Sequence, residues 1–496
     1  MLYIFLLAIA IPLYLLNRYR RNKRYEEFWK HIMAIPGPQG SPILGTNNTL
    51  HTPESLFIRD RKRAVEYYPI FKLWSLDAAG VFVMSPDDIE LVLNNSKHIN
   101  KSLFYNFLHS WLGTGLLTSG GSKWHSRRKI LTPAFHFNIL QQFVELLNKE
   151  TQILVDNLSK SCSQPYVDVV KPITEFTLYS IGETSFGVSL RDHPDCPSYK
   201  QAVYDFGHSF IYKGVRPWLW LPLIYKLSPT YRKDRQIVKT LHAFSTSVIN
   251  ERKERFAESS DGSYAERKRL ALLDLMLKAK QNGADIDDEG IREEVDTFIF
   301  EGHDTTSVSI CYTLMVLANE PVIQEEIYQE ITSIIGSSDE PTYNDFNDMK
   351  YMERCIKESL RLYPSVPLIG RVVGENLMTK SGYTIPKGCN VNISFYDMHR
   401  RPEIWEDPEK FDPDRFLPDN VAKRHPFAYL PFSAGSRNCI GQRFAILEIK
   451  AVLCGILRNF KLEPVDTPAD MKYKVDLVLR PAGEIRVKFV PRLVNI

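Results

Sequence analysis

The chain has 496 residues but only seven cysteines, and none of them (Cys162, Cys196, Cys311, Cys355, Cys389, Cys439, Cys454) stands in a CxxC or CxxxC pair. Such scattered thiols argue against a zinc ribbon, an iron–sulfur cluster or a disulfide scaffold, and for a reducing compartment. No G-x-S-x-G turn and no nucleotide-binding glycine loop is present, so neither a serine hydrolase nor a fused flavin or nicotinamide domain is indicated. There is no excess of charge of one sign: 62 Lys and Arg stand against 59 Asp and Glu, a net charge of +3, which implies no nucleic-acid partner. No internal repeat is visible, which excludes solenoids and propellers. The apolar run at the start, Leu2–Leu16, is short for a membrane span: as a helix it reaches about 22 Å, against a hydrocarbon core of ~30 Å.

That run is nonetheless followed at once by Arg18, Arg20, Arg21, Lys23 and Arg24. Interfacial tyrosines and snorkelling arginines extend its reach. A cleaved signal peptide, with Ala8-Ile9-Ala10 as the small-residue site, is the rival reading. It lacks a basic n-region, because the charges come after the run. The balance favours an uncleaved anchor over residues 1–24 that leaves the rest of the chain cytosolic by the positive-inside rule. Residues 25–42 then read as a linker ending in a stiff hinge, Ile35-Pro36-Gly37-Pro38-Gln39-Gly40-Ser41-Pro42, which suits neither helix nor central strand. Residues 43–496 read as the catalytic body. It is 44% apolar with 27 Phe and 24 Tyr, enough for a large core.

Within the body, Phe71–Trp74 and Val81–Met84 suggest a hairpin around Gly80, and Pro86–Leu93 suggests a helix. Helical periodicity dominates to about residue 360, for example over Leu140–Leu158 and Ile237–Arg255. Short strands return at Gly382–Ile393 and Asp476–Val490. Glu258–Glu266 reads as a surface linker. The fold class is mainly α with minor β: one large helical body with small sheets, preceded by the anchor. Two stretches are unusually greasy. Ser102–Leu117, with Phe104, Phe107 and Trp111, is either core or ligand-facing. Val215–Tyr225, with Trp218 and Trp220, is either a core connector or a dip into a membrane interface.

The chemistry concentrates at Pro431–Gly441, which reads PFSAGSRNCIG and precedes an apolar helical stretch. A Cys439 thiolate there sits at a helix start, where unsatisfied N–H groups and the dipole favour negative charge. Such a thiolate suits a haem iron. Gly435 allows a tight turn and Gly441 a close approach to a flat macrocycle. Arg437 can pair a propionate bidentately, and Phe432 can shield the sulfur. A lone cysteine would more often be a buried core residue; F-x-x-G-x-R-x-C-x-G as a whole is specific. Upstream, Trp124 and Arg128 are i, i+4 and share a helix face, where they could bind a carboxylate or merely stack. In the helical stretch from Asp288 to Ala318, Gly302, Asp304, Thr305 and Thr306 break local helix propensity, which predicts a distorted helix with a functional purpose.

These motifs, in this order, resemble the cytochrome P450 superfamily, and Glu301-Gly302-His303-Asp304-Thr305-Thr306 resembles its microsomal family-four, fatty-acid ω-hydroxylase branch. The resemblance covers nearly the whole chain. It implies haem b with Cys439 as axial ligand, Asp304 and Thr305 as the catalytic acid–alcohol pair, and Trp124, Arg128, Arg371 and Arg437 on the propionates. It implies that Glu358 and Arg361, matching E-x-x-R, join Arg415 in a structural charge network. Glu301 stands where family-four members form an ester with a haem methyl. Phe104, Phe107, Trp111, Phe298, Val366, Leu368, Leu477 and Val478 are the expected substrate contacts.

The implied activity is insertion of one oxygen atom from O2 into a C–H bond of a lipophilic substrate, with fatty-acid ω-hydroxylation foremost. Oxidation of xenobiotics or terpenoid hormones is the alternative, and a haem-thiolate isomerase or a non-turnover haem protein comes behind. The implied partners are NADPH-cytochrome P450 reductase, cytochrome b5 and a lipid membrane. The implied location is the endoplasmic reticulum membrane, with the body facing the cytosol.

Overall fold

The computed structural model describes residues 12, 26–41, 45–46, 51–76, 78–258, 271–336 and 340–492. The expected anchor, apart from Pro12, and most of the expected 258–266 linker lie outside the described residues. Among those described, no single helix is long and apolar enough to cross a membrane.

A central helix, Asp288–Asn319, organises the rest. Asp287 caps it, its carboxylate accepting the Gly290 N–H at 2.8 Å, and Asp288 and Glu289 in the first turn complement the dipole. Pro321 begins the next helix, Pro321–Ile335, where the central one cannot continue. Its apolar residues are buried all round, the pattern of a core helix rather than of an amphipathic surface helix. It packs against Val170–Ile181 on one side and Gln442–Asn459 on another, with Pro229–Glu258 and Lys350–Leu362 completing the shell. One large hydrophobic cluster joins these helices.

A second cluster lies under a four-stranded sheet. Its strands are β1 (Ile70–Ser75), β2 (Ala78–Val83), β3 (Leu368–Val372) and β4 (Asn390–Ser394), in the order β1-β2-β4-β3. β2 and β4 run parallel, and the other pairs are antiparallel. The hairpin was expected to turn at Gly80. Instead Gly80 lies within β2 opposite Leu73, and the reversal falls between Ser75 and Ala78. Glycine is used there for proximity, since a Cβ would stand 3.1 Å from Asn392 Nδ2 on β4. Short strands do return late, and Arg486–Pro491 lies between Val167–Asp168 and Phe460–Pro464, partners outside the expected stretches.

Within 25–42, read from sequence as linker and hinge, the structure places a helix, Glu26–Ala34. Ile32 and Ile35 are fully buried in the sheet cluster, and Lys72 N–H donates to the Pro36 carbonyl at 2.8 Å. The hinge segment thus starts on a helix docked to the body. Ser102–Leu117, read as a loop, contains two helical turns, Leu103–Leu108 and His109–Leu112.

Glu358 and Arg361 lie on one face of Lys350–Leu362 and form a bidentate pair at 2.7 and 2.8 Å, both fully buried. Arg415 adds a contact to Glu358 at 3.3 Å, and the remaining Arg361 donors reach the carbonyls of His399, Pro408 and Lys410. His399 Nε2 in turn accepts the Leu430 N–H at 3.0 Å, one residue before the cysteine loop begins. A desolvated charge pair is tolerated only because every valence is used. Glu358→Ala should therefore cost about 3–5 kcal/mol by leaving Arg361 buried and unpaired, measured as a drop in the denaturant midpoint. A loss within ~0.5 kcal/mol, typical of an exposed site, would contradict it.

Candidate active site

The cysteine loop is held by its backbone and its neighbours. Cys439 N–H donates to the Phe432 carbonyl at 2.9 Å, and a helical turn at Gly435–Arg437 fills the bend between them. Gly435 has φ +70, and a Cβ there would fall 2.1 Å from the Leu93 carbonyl oxygen, so both conformation and space require glycine. At Gly441 a Cβ would meet only Phe135, at 3.7 Å, so no protein atom demands glycine there. Arg128 clamps Asn438, donating to its carbonyl and to its side-chain oxygen, both at 2.9 Å. Arg128 therefore grips the residue before the cysteine. Trp124 instead carries Arg437, whose guanidinium lies 4.8 Å from the indole centroid. The Trp124–Arg128 face proposed from spacing splits into two separate contacts.

Cys439 keeps accessible surface, yet burial of its surroundings pushes its thiol up to about 12, with the Glu301 charge adding to the rise. It faces an interior wall rather than the outer surface. The Gly441 N–H and the Arg128 charge pull the other way. The helix-end stabilisation expected from sequence is thus present, but burial exceeds it. A thiolate here needs the charge of a bound metal to complete it.

Arg371, Arg437 and Lys101 converge on this wall. Lys101 and Arg371 form an isolated antiparallel bridge at the edge of β3, and Lys101 Nζ stands 4.6 Å over the Tyr105 ring. Arg437 donates to the carbonyls of Leu116, Leu117 and Ser119, while its Nε is buried without a hydrogen-bond partner. Arg371 donates to the Gly370 carbonyl at 3.1 Å. None of the three forms an ion pair with a carboxylate among the described residues. Burial holds the pKa of each below its usual range, that of Arg437 at about 9, and for Lys101 and Arg437 the neighbouring cations lower it further. A cluster of desolvated cations with an orphaned N–H calls for anions from outside the chain. The two carboxylates of a haem would fit that donor set, and Cys439 would hold its iron.

The central helix supplies the opposite wall. From Glu293 to Ala318 every residue is buried except Glu301, Gly302 and Thr305. The accessible face is thus the i, i+4 pair together with the glycine beside it. The helix runs unbroken through this stretch, where the Thr305 hydroxyl donates to the Glu301 carbonyl at 2.7 Å and Thr306 bonds back to Gly302. Gly302 serves packing, since a Cβ would meet the Ile181 side chain at 2.7 Å. Burial raises the Glu301 carboxyl, and Lys101 opposes the rise. Asp304 points elsewhere. It is buried and paired with Arg480 at 2.7 Å.

The expected substrate contacts divide. Phe104 meets Trp220 edge-on at 5.7 Å, and Phe107 meets Phe210 at 6.1 Å, tying the 102–117 segment to the helix Cys196–Gly214 and its following turn. Trp111 is a core residue, 1% exposed and packed on Phe206 and Phe300. Phe298 is stacked on Phe135, and Val478 is buried in the main cluster. Val366 and Leu477 are half-buried and Leu368 is exposed. Lys101, Arg480 and Glu448 escaped the sequence reading. Glu448, a single acid inside the apolar helix Gln442–Asn459, is fully buried, and burial raises its pKa strongly despite the Thr306 and Ser180 hydroxyls beside it. For Arg480 the signal was a lone charge closing the apolar run Leu477-Val478-Leu479.

The sequence profile described as Cytochrome P450 matches residues 35–489. Similar curated proteins include cytochrome P450 4c3 of Drosophila melanogaster, 42% identical over 95% of this chain and 92% of its own length. Cytochrome P450 4c21 of Blattella germanica is 39% identical over 97% of both chains. Human cytochrome P450 4V2 is 38% identical over 98% of this chain and 95% of its own.

Because the loop is closed by backbone and neighbouring side chains, Cys439→Ser should change stability by no more than ~0.5 kcal/mol yet abolish the thiolate-type Soret band of the reduced carbonyl complex. A wild-type carbonyl spectrum of histidine type would overturn the ligand assignment.

Proposed function

The chain belongs to the cytochrome P450 family and resembles its family-four members along its length, so it is a haem-dependent monooxygenase, and we propose that it hydroxylates fatty acids or related lipids at the terminal, ω, carbon. In this reading Cys439 would hold the iron, Arg371, Arg437 and Lys101 would neutralise the propionates, and Arg128 and Trp124 fix the loop and Arg437. When bound, the haem supplies O2 activation, with the thiolate favouring O–O cleavage. The chain's own residues orient the substrate, exclude water and deliver protons. Thr305 offers its hydroxyl on the haem-facing side of the central helix.

The observation that carries the ω reading is the pairing of Glu301 with Thr305 on the accessible face of a helix otherwise buried from Glu293 to Ala318. A carboxylate in that place is suited to an ester with a haem methyl. An ester would stiffen the haem, and the Phe104–Trp220 and Phe107–Phe210 contacts would stiffen the opposite wall. A terminal C–H bond is stronger than the internal ones, so selecting it needs geometric control by a rigid pocket.

Electrons come from a reductase in this family. NADPH-cytochrome P450 reductase, with cytochrome b5 as an auxiliary donor, is the proposed pairing here. The proposed location is the endoplasmic reticulum membrane, with residues 1–24 as anchor. A surface patch supports a second membrane contact: Leu223 and Leu227 are 72% and 71% exposed, beside exposed Trp218, Leu221 and Ile224. Such a patch, aromatic at its edge, suits headgroup depth.

Deleting residues 1–24 should move the protein from membrane toward soluble fractions with haem still bound, while Leu223→Ser with Leu227→Ser is needed to release the remainder. A truncated protein that stays wholly on membranes with both leucines replaced would refute the arrangement. Acid denaturation after turnover should leave haem on wild-type polypeptide and free it from Glu301→Ala, with the ω-to-internal product ratio falling about tenfold (~1.4 kcal/mol) in the variant. Equal haem release from both proteins would remove the ester.

A further inference from the structure

The exposed apolar segment 221–227 is followed at once by cations that the catalytic reading does not use. Lys226 lies within the segment, and Arg232, Lys233, Arg235 and Lys239 open the long helix Pro229–Glu258. All of them are exposed, and none forms an ion pair among the described residues. Between Val215 and Asn250 the only acid is Asp234. Arg232, Arg235 and Lys239 are spaced i, i+3, i+7, so they share one helix face. Asp234 projects from the opposite side. It is 2% exposed, pairs with Lys213 Nζ at 3.0 Å and accepts the hydroxyls of Tyr225 and Ser209. The one carboxylate is turned inward, and the outer face carries charge of one sign.

Left to itself, this arrangement destabilises the helix. No acid stands in its first turn, and cations near a helix N-terminus oppose the dipole. Like charges at i, i+3 and i, i+4 repel. Farther along the same helix charges are matched: Arg255 meets Glu251 at 2.6 Å, and Lys253 meets Asp288 at 2.7 Å. An unpaired strip kept in one place against local preference marks a surface that has a partner. The partner's chemistry follows from what lies beside the strip. No residue of Pro222–Leu227 is buried. The Tyr225 ring meets the Tyr231 ring edge-on at 5.4 Å, so the apolar segment and the start of the charged helix form one surface. An acidic protein or a nucleic acid would neutralise the cations but leave the leucines in water. A bilayer with negative headgroups answers both: its acyl boundary takes the leucines and Trp218, and its headgroups take the cations.

We propose that this face docks on an anionic lipid bilayer, with Arg232, Arg235 and Lys239 selecting negatively charged headgroups over neutral ones. The inference rests on the reading of segment 221–227 as a membrane contact and adds the lipid class to it. Lys213 fastens the surface to the body. Its carbonyl accepts the Trp220 indole N–H at 2.9 Å, and its ammonium holds Asp234. The charged strip and the leucines therefore approach a membrane as one unit anchored on the helix Cys196–Gly214.

Full-length protein carrying a polarity-sensitive fluorophore on Leu223→Cys, corrected for labelling of protein without that cysteine, reports the docked state. The vesicles are phosphatidylcholine alone, or phosphatidylcholine mixed with phosphatidylserine. The reporter should enter the headgroup region of both, with a higher docked fraction on the mixed vesicles and loss of that increment at high salt. Arg232→Gln, Arg235→Gln and Lys239→Gln together should keep the reduced carbonyl spectrum and the signal on phosphatidylcholine. They should remove the increment, the docked-to-undocked ratio falling about fivefold for each charge. Lys160→Gln, Lys171→Gln and Lys387→Gln, the same charge change at exposed sites on other elements, should leave the increment intact. The basic run within residues 18–24 is kept in every protein. An increment that survives the first triple replacement, or falls equally in the second, overturns the proposal and gives the lipid preference to that run or to net charge. Salt-sensitive binding of polyglutamate with no increment on mixed vesicles would give the strip to an acidic protein. Equal wild-type signals on the two vesicles overturn the lipid selection and leave the membrane contact standing. No signal on either would instead remove the membrane contact itself.

Discussion

Lys101, Arg371 and Arg437 converge on one wall with no ion-paired carboxylate among the described residues, the Glu301 charge acting on Lys101, and burial lowers the pKa of all three. Elsewhere buried cations meet carboxylates of the chain, as at Arg361 with Glu358 and Arg252 with Asp274. The contrast is what makes the wall a site. Desolvated like charges raise the free energy of the folded chain, and a ligand bearing carboxylates removes that cost on binding, so part of the ligand's affinity appears as stability of the holoprotein.

Holding the sulfur is a separate mechanical problem. Cys439 sits on a loop whose own side chains do little of the holding. Gly435 accepts a left-handed turn against Leu93, Arg128 grips Asn438, and the Phe432 carbonyl closes the bend. Behind the loop, the Glu358–Arg361–Arg415 network reaches it through His399 and Leu430. Each support comes from a different element, so the loop is defined by the tertiary structure rather than by its local sequence.

Much of this was legible in the residues. Helix Pro86–Leu93 falls where its proline start and periodicity put it, and the Asp288–Ala318 helix ends within one residue of its expected end. The cysteine motif located the loop, in which Gly435 answers a steric demand and Arg437 an electrostatic one. What was not legible depends on partners distant in sequence. The spacing of Trp124 and Arg128 showed a shared face, but not that Asn438 and Arg437 would divide it. Mid-helix threonines suggested distortion, but not that their hydroxyls would fold back onto i−4 carbonyls. Trp111 read as a ligand contact because its segment is greasy; it is core, because Phe206 and Phe300 arrive from two other helices.

The central helix divides its acid from its alcohol. Asp304 and Thr305 lie on different faces, with Asp304 bound to the C-terminal hairpin and Thr305 bound by its backbone carbonyl to Ser365. Different elements therefore fix the two groups, and the Glu301 and Thr305 face is left rigid, which favours selective oxidation of an unactivated C–H bond.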